Sequence, residues 1–300
     1  MVLKRKSCVA GSFYPRYKPD LISIIEESFL DKNFGVGKPF KCENLENRTI
    51  YGGISPHAGY VYSAACASFT FFNLFKEKIP DTVIVLGTTH TGYSEIALLE
   101  EGFWETPLGD IEIDSELGKK IAENSNTIKI DQSAYLGFPH SREHNIEVQL
   151  PFIVYCSANK SKLVPITIGS MNFKVLNEIA IDIATVIKSE NKDIVVIASS
   201  DMTHKQPRNI MNPKEDLEEM RIVDQKVIDS FNENNPEKVF NNARATTVCG
   251  PQTITTLMLI CNNLDVKTPE VLKYYTSYAK GGGTGPCEYC VGYFSGIMKI

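Results

Sequence analysis

The sequence predicts an α/β fold, a single-domain α/β sandwich over residues 1–300 with a mostly parallel central sheet. Three observations lead to this prediction. Short apolar runs of strand length alternate with longer amphipathic runs of helix length along almost the whole chain. No internal repeat or low-complexity segment breaks the alternation. The Gly-rich stretch 281–286 falls between the last two apolar runs, where it is typical of a loop rather than a domain linker.

The individual elements follow from the two periodicities. Strands are predicted where branched and aromatic apolar residues are continuous over a few positions: 50–54, 82–87, 163–168, 193–199, 271–278 and 290–297. Helices are predicted where apolar residues recur every three or four positions: 19–31, 60–78, 115–124, 144–158, 173–189, 213–233 and 251–263. Pro213, followed by Glu215 and Asp216, is typical of a helix start.

Composition excludes several classes of protein. Apolar residues make up 43% and charged residues 22% of the 300 positions, as in soluble globular proteins. The 36 acidic and 31 basic residues leave a net charge of -5, which argues against a general nucleic-acid binder. The N-terminal segment lacks the apolar stretch of a secretory signal, and the apolar runs fall short of the ~20 residues that span a bilayer. We therefore expect a cytoplasmic protein with no membrane segment, whose cysteines are free thiols. For Cys287 and Cys290 the alternative is a local disulfide between them.

Three of the five histidines follow closely after the end of a predicted buried strand. They are His57 after "IYGGIS", His90 after "VIVLGTT" and His204 after "IVVIASSDMT". In open α/β sheets ligands bind at the edge formed by the carboxyl ends of the strands. A single histidine after a strand is more often a hydrogen-bonded loop residue, but three in the same arrangement favour a shared site.

Cys249 adds a thiol to these imidazoles. It stands just before Gly250 and Pro251, and proline is well suited to the first turn of a helix. A thiol at a helix N-terminus feels the positive end of the helix dipole, so we expect its pKa to be lowered. Thiolate is both a nucleophile and a metal ligand. The alternative is a small cysteine buried in the core.

Seven motifs, in this order, resemble those of the Memo family, which has animal, archaeal and bacterial members. The resemblance runs from about residue 8 to the C-terminus and is highly specific because the motifs are numerous and ordered. They are "VAGSFYP" (9–15), "SPHAGYVYS" (55–63), "LGTTHTG" (86–92), "TPLG" (106–109), "EHNIEVQLPF" (143–152), "SSDMTH" (199–204) and "CGPQTI" (249–254).

The resemblance implies a fold similar to that of class III extradiol dioxygenases and a metal site for copper or iron. The implied ligands are His57, His90 and Cys249, a set that also suits zinc. His204 matches a further pocket histidine, for which we expect an acid/base role. Asp201 would orient one of the ligating imidazoles without contacting the metal itself. Alternatively, Asp201 would replace the Cys249 thiolate as the third ligand, which gives the two histidines and one carboxylate of the dioxygenases.

His144 and Glu147 are three residues apart on the predicted helix 144–158 and would share one face of it. They either line the pocket or form a hydrogen-bonded pair at the helix end. Both interpretations stay open on the sequence alone. His140 lies outside the motifs and is expected to be solvated.

Three functions are compatible with these residues. The first is redox or dioxygenase-like chemistry at non-haem iron or copper on an unknown small molecule. The second is a binding module that captures a peptide or another ligand, as proposed for animal members of the family. The third is a hydrolase or transferase in which Cys249 acts with His204 or His57. The resemblance also implies a pathway link to an AMMECR1-domain protein and a radical-SAM protein.

Overall fold

The apolar runs of the sequence form strands in the computed structural model, which describes residues 3–300. All six predicted strands are present, with ends that differ from the prediction by at most three residues. Several strands of two or three residues are too short to leave a periodic signal in the sequence. The strands are β1 (Lys4–Arg5), β2 (Ile50–Ser55), β3 (Thr82–Thr88), β4 (Ile96–Leu98), β5 (Phe103–Trp104), β6 (Ile111–Glu112), β7 (Ile128–Ile130), β8 (Lys162–Ile168), β9 (Ile194–Ser199), β10 (His204–Lys205), β11 (Thr268–Thr276) and β12 (Cys290–Lys299).

The helices begin at the signals that the sequence carries. The side chain of Asn172 caps one helix by accepting the backbone N–H of Val175, and the helix after Pro213 has Glu215 and Asp216 in its first turn, as predicted. The helices are α1 (Lys18–Leu30), α2 (Tyr60–Lys76), α3 (Ser115–Asn124), α4 (Ser133–Leu136), α5 (Leu150–Ser157), α6 (Phe173–Ser189), α7 (Lys214–Asn232), α8 (Pro236–Arg244), α9 (Pro251–Asn263) and α10 (Ser277–Lys280). Within residues 3–300, none of them combines the length and apolar character needed to cross a membrane.

The central sheet is mixed, with a parallel centre. Its strand order is β10-β12-β2-β9-β3-β8-β4-β7, and β11 also pairs with β12. The four middle strands, β2, β9, β3 and β8, are parallel to one another. The flanking pairs β12–β2 and β4–β8 are antiparallel. The predicted α/β class is therefore confirmed, and the predicted parallel arrangement holds for the four central strands but not for the whole sheet.

Helices cover both faces of this sheet. Along β3, Ile84 and Leu86 pack into the cluster that contains α6 and α9, whereas Val83 and Val85 pack into the cluster that contains α1, α2 and α5. Successive side chains of a strand point to opposite faces, so a strand that is covered on both sides is apolar at every position. This explains the uninterrupted apolar run that precedes His90.

The predicted helix 144–158 is wrong over its first third. Residues 144–146 are not helical, Glu147–Gln149 form one turn of 3-10 helix, and α5 begins only at Leu150, with Pro151 in its first turn. The carboxylate of Glu143 accepts the backbone N–H groups of His144 and Asn145, which holds this stretch outside the helix. His144 and Glu147 therefore do not share a helix face.

Candidate metal centre

The carboxyl ends of the parallel strands bring the predicted histidines to one edge of the sheet. Ser55, the last residue of β2, pairs with Ser199, the last residue of β9, and β3 ends beside them. The loops after these strands carry His57, His90 and Asp201. The resulting pocket is formed by six side chains: His57, His90, His144, Asp201, His204 and Cys249.

Two glycines let other segments approach this edge. A Cβ atom at Gly87 would collide with the side chains of Asn145 and Ile146, and a Cβ at Gly250 would collide with Thr253 and with the end of β9. Glycine at 87 therefore admits the segment that carries His144. Glycine at 250 admits the segment that carries Cys249.

His57 is the most deeply buried member of the pocket, with 1% of its surface exposed. Its backbone N–H donates to Asp201 Oδ1 over 2.8 Å. Burial holds the pKa of its imidazole well below the ordinary value, and the neighbouring His90, His144 and His204 lower it further. His57 is therefore neutral at physiological pH.

The hydrogen bonds of Ser199 fix the tautomer of His57. Ser199 Oγ donates its single proton to the carbonyl of Asn145 over 2.8 Å and accepts from Gln149 Nε2. It must therefore accept from His57 Nδ1, which lies 3.0 Å away. The proton of the neutral ring is thus on Nδ1, and Nε2 carries a lone pair. Nε2 is buried and has no hydrogen-bond partner within residues 3–300.

Glu143 likewise determines that Nδ1 of His90 carries a proton. His90 Nδ1 lies 2.9 Å from Glu143 Oε1, and a carboxylate can only accept, so Nδ1 carries a proton. Burial alone would raise the pKa of Glu143, but hydrogen bonding and attraction from His90, with a further contribution from His144, lower it to about 2. Glu143 is the first residue of the motif "EHNIEVQLPF" (143–152), but the sequence analysis gave it no role.

His144 lies in the pocket against both of these imidazoles. Its ring centroid is 4.8 Å from that of His90 and 5.7 Å from that of His57. Phe13 packs on it at 4.7 Å. Burial lowers the pKa of His144 to about 4, and the neighbouring His90 acts in the same direction. His144, like His57, is thus neutral at physiological pH.

Asp201, His204 and Cys249 form the other side of the pocket. Cys249 Sγ lies 3.2 Å from His204 Nε2, and Asp201 Oδ2 lies 4.0 Å from the same nitrogen and 3.9 Å from His57 Nε2. Burial raises the pKa of Asp201 to about 7, even though the backbone N–H groups of His57 and Ala58 oppose the shift. Asp201 is thus partly protonated at neutral pH.

The expected lowering of the Cys249 pKa is wrong for the metal-free protein. Cys249 does precede the N-terminus of α9, with Gly250 as cap and Pro251 in the first turn. Burial nevertheless raises the pKa of its thiol well above the ordinary value, and the charge of Asp201 raises it further. Burial therefore has a larger effect on the thiol pKa than the helix terminus. The sequence carried no signal of this burial.

The donor atoms of the pocket fall into two groups, within each of which all atoms lie within 4.8 Å of one another. The histidine cluster is His57, His90 and His144. The thiol cluster is His57, Asp201 and Cys249. His57 belongs to both, and its unpartnered Nε2 is the atom that a cation would satisfy. The predicted ligands His57, His90 and Cys249 combine members of the two clusters, and metal binding by them stays a prediction.

Glu147 does not reach the pocket donors. Its carboxylate is fully buried and binds the N-terminal segment instead, accepting from Arg5, Tyr14 and the backbone N–H groups of Cys8 and Val9. The open question about Glu147 is therefore answered by a structural role. It anchors the segment whose Phe13 packs on His144.

Tyr289 is a pocket residue that the sequence did not indicate. Its hydroxyl lies 2.7 Å from His204 Nδ1, on the opposite side of that ring from Cys249. Tyr289 also lines a cavity of about 520 Å³, together with Ala58, Tyr62, Tyr278 and Tyr293.

The remaining histidine and the CxxC pair lie outside the six pocket residues. His140, expected to be solvated, is half-buried, and its Nδ1 lies 2.9 Å from the hydroxyl of Thr91. Cys287 and Cys290 are both buried free thiols, as predicted. None of these three residues belongs to the histidine cluster or the thiol cluster.

Comparisons with known proteins give consistent similarities. A family model described as Memo-like protein matches residues 5–297. A MEMO1 family protein of Desulfurococcus amylolyticus is 38% identical, with 97% of each chain covered, and one of Nitrosopumilus maritimus is 35% identical, with 99% of each covered. The crystal structure of an uncharacterized protein from Escherichia coli K12 is similar in fold, with a TM-score of 0.50 and 11% identity over 83% of this chain and 99% of that chain.

Proposed function

This chain belongs to the Memo family, and we propose that it is a metal protein that holds non-haem iron or copper at His57, His90 and Cys249 for redox or dioxygenase-like chemistry. The observation that carries the proposal is the buried Nε2 of His57, which has no hydrogen-bond partner within residues 3–300. Leaving such a group unsatisfied costs free energy. Coordination to a cation satisfies it, and neutral imidazole is the commonest protein ligand of transition metals.

The other donors suit the same class of ion. Imidazole and thiolate together favour Fe(II), Cu(I) or Zn(II) over Mg²⁺ or Ca²⁺. Three protein ligands leave one coordination position open, as in catalytic rather than structural sites. When bound, such an ion supplies redox chemistry and an open position for a small molecule.

The chain's own residues prepare this site in three ways. Ser199 and Glu143 hold the Nδ1 protons of His57 and His90, which leaves Nε2 of each ring as the coordinating atom. Asp201 holds the backbone of His57 in place. His204 Nε2, beside Cys249 Sγ at 3.2 Å, is the group that exchanges a proton with the thiol or with a bound substrate.

The test is the metal content of protein purified without oxygen. We expect about one iron or copper per chain in the wild type and most of it lost in Cys249→Ser, because a hydroxyl is a poor substitute for thiolate toward these ions. Cys42→Ser, at another partly exposed cysteine outside the pocket, is the matched control. Full metal content in Cys249→Ser would mean that another pocket residue, such as Asp201, is the third ligand. A metal-free wild type that binds a peptide would support ligand capture instead.

A second candidate function rests on the contact between Cys249 and His204. With a proton on Nδ1 donated to the Tyr289 oxygen, His204 Nε2 accepts the thiol proton, and Cys249 becomes a nucleophile for acyl or alkyl transfer. Alkylation of Cys249 by iodoacetamide in chelator-treated protein, followed by mass spectrometry, tests this function. An alkylation rate that is lower in His204→Gln than in the wild type supports this function. An equal alkylation rate in the two proteins excludes His204 as the base.

A further inference from the structure

The histidine cluster is a set of three imidazoles that face one another without an intervening side chain. The rings of His57 and His90 are 5.2 Å apart and nearly perpendicular, and the ring of His144 is nearly perpendicular to that of His57. One donor nitrogen of each ring lies within 4.8 Å of the other two. The three donor nitrogens therefore border the same small volume.

The electrostatic surroundings of this cluster favour a cation. Glu143 contacts two of its members, at 2.9 Å from His90 Nδ1 and 3.6 Å from His144 Nδ1. A carboxylate behind a ligating imidazole raises the basicity of the ring and offsets the charge of the ion. Cys249 is not part of this cluster, so an ion held here would have nitrogen ligands only.

The two clusters compete for a single atom. His57 Nδ1 is committed to Ser199, so only Nε2 is available for coordination. A neutral imidazole nitrogen has one lone pair and binds one metal ion. An ion bound to the histidine cluster therefore leaves only Asp201 and Cys249 in the thiol cluster, and the converse holds for an ion bound beside Cys249.

We propose that His57, His90 and His144 form a second metal position, which takes a divalent ion such as Zn²⁺ or Co²⁺ and excludes occupation of the position beside Cys249. The proposal deepens the proposed function, because it requires that this pocket bind metal. It adds His144 as a ligand, and an ion held there takes His57 and His90 away from the position beside Cys249. All-imidazole ligation suits borderline divalent ions, whereas thiolate selects softer ones.

The experiment is a Co²⁺ titration of metal-free, full-length protein followed by visible and near-ultraviolet absorption. Thiolate ligation adds an intense sulfur-to-cobalt charge-transfer band, and imidazole ligation does not. We expect one Co²⁺ per chain without that band. Cys249→Ser should bind Co²⁺ within a small factor of the wild type, and His144→Gln should bind at least about tenfold more weakly.

His140→Gln is the matched control, because His140 is bonded to Thr91 outside the cluster and should be dispensable for Co²⁺. Circular dichroism verifies folding of each variant, and the wild-type spectrum reports on the ligands without any variant. A charge-transfer band in the wild type, or two ions bound at once, would overturn the proposal while metal binding by the pocket stands. A wild type that neither retains metal nor binds Co²⁺ would overturn both.

Discussion

One oxygen of Glu143, Oε1, lies 2.9 Å from Nδ1 of His90, which makes this carboxylate the residue that sets the tautomer of a pocket imidazole. Glu143→Gln keeps an acceptor at this place but removes the charge. We expect the affinity for Co²⁺ to fall by about 10- to 100-fold, as for other carboxylates behind ligating histidines. A competition titration against a chromophoric chelator measures the change.

Glu112→Gln is the control for this substitution. Glu112 forms a surface ion pair with Lys162, in which both side chains are about half exposed, and should not influence metal affinity. Equal Co²⁺ affinity in wild type and Glu143→Gln would show that His90 is oriented by packing alone.

His144 makes the stability of the metal-free protein depend on pH. Its folded-state pKa is about 4, below the ordinary value of ~6.5, so the unfolded chain takes up a proton first as the pH falls. Stability is therefore lost as the pH drops from about 6.5 to about 4, by up to roughly 3 kcal/mol for this residue. Urea unfolding should show a flatter pH dependence over this window in His144→Gln than in the wild type, and identical slopes would contradict the assignment.

Proton release distinguishes the two metal positions. The raised pKa of Cys249 keeps its thiol protonated at neutral pH, so a thiophilic ion that binds there must displace about one proton. Asp201, with a pKa of about 7, adds a fraction of a second proton if it also ligates. Calorimetric titration with Cd²⁺ in two buffers of different ionisation enthalpy should show this release in the wild type. Cys249→Ser should lose it, and equal release in both proteins would remove Cys249 from the ligand set.

The buried ion pair of Arg5 and Glu147 should be important for stability. Both side chains are at most 2% exposed, so Glu147→Ala leaves the Arg5 charge buried without its partner, at a cost of about 3–5 kcal/mol. Glu218→Ala, which breaks the exposed pair with Arg221, should change the free energy of unfolding little. Denaturant unfolding curves of the two variants provide the comparison. A small effect of Glu147→Ala would mean that water reaches Arg5.

The sequence was sufficient to predict that the strand-end histidines meet. Buried apolar runs mark the strands, and the carboxyl ends of parallel strands lie at one edge of a sheet. Glu143 and Tyr289 could not be found in this way. The bond from Glu143 to His90 spans 53 positions in the chain, and residues 144–146, which follow Glu143, are not helical although their periodicity predicts a helix. The depth at which Cys249 is buried depends on long-range packing in the same way, which is why its pKa was expected to shift in the opposite direction.

The place of β12 in the sheet has a consequence for biosynthesis. β12 pairs with β2, which leads to His57, and with β10, which contains His204. His57 is synthesised early, whereas β12 is synthesised only after every pocket residue. At a translation rate of about 5–20 residues per second, the interval between them is tens of seconds. During that interval the chain is incompletely folded, because the sheet lacks β12. The imidazoles are then accessible to adventitious ions. For the proposed metal function, selective loading is therefore expected after translation, when the last strand has docked and the two clusters have acquired their fixed shapes.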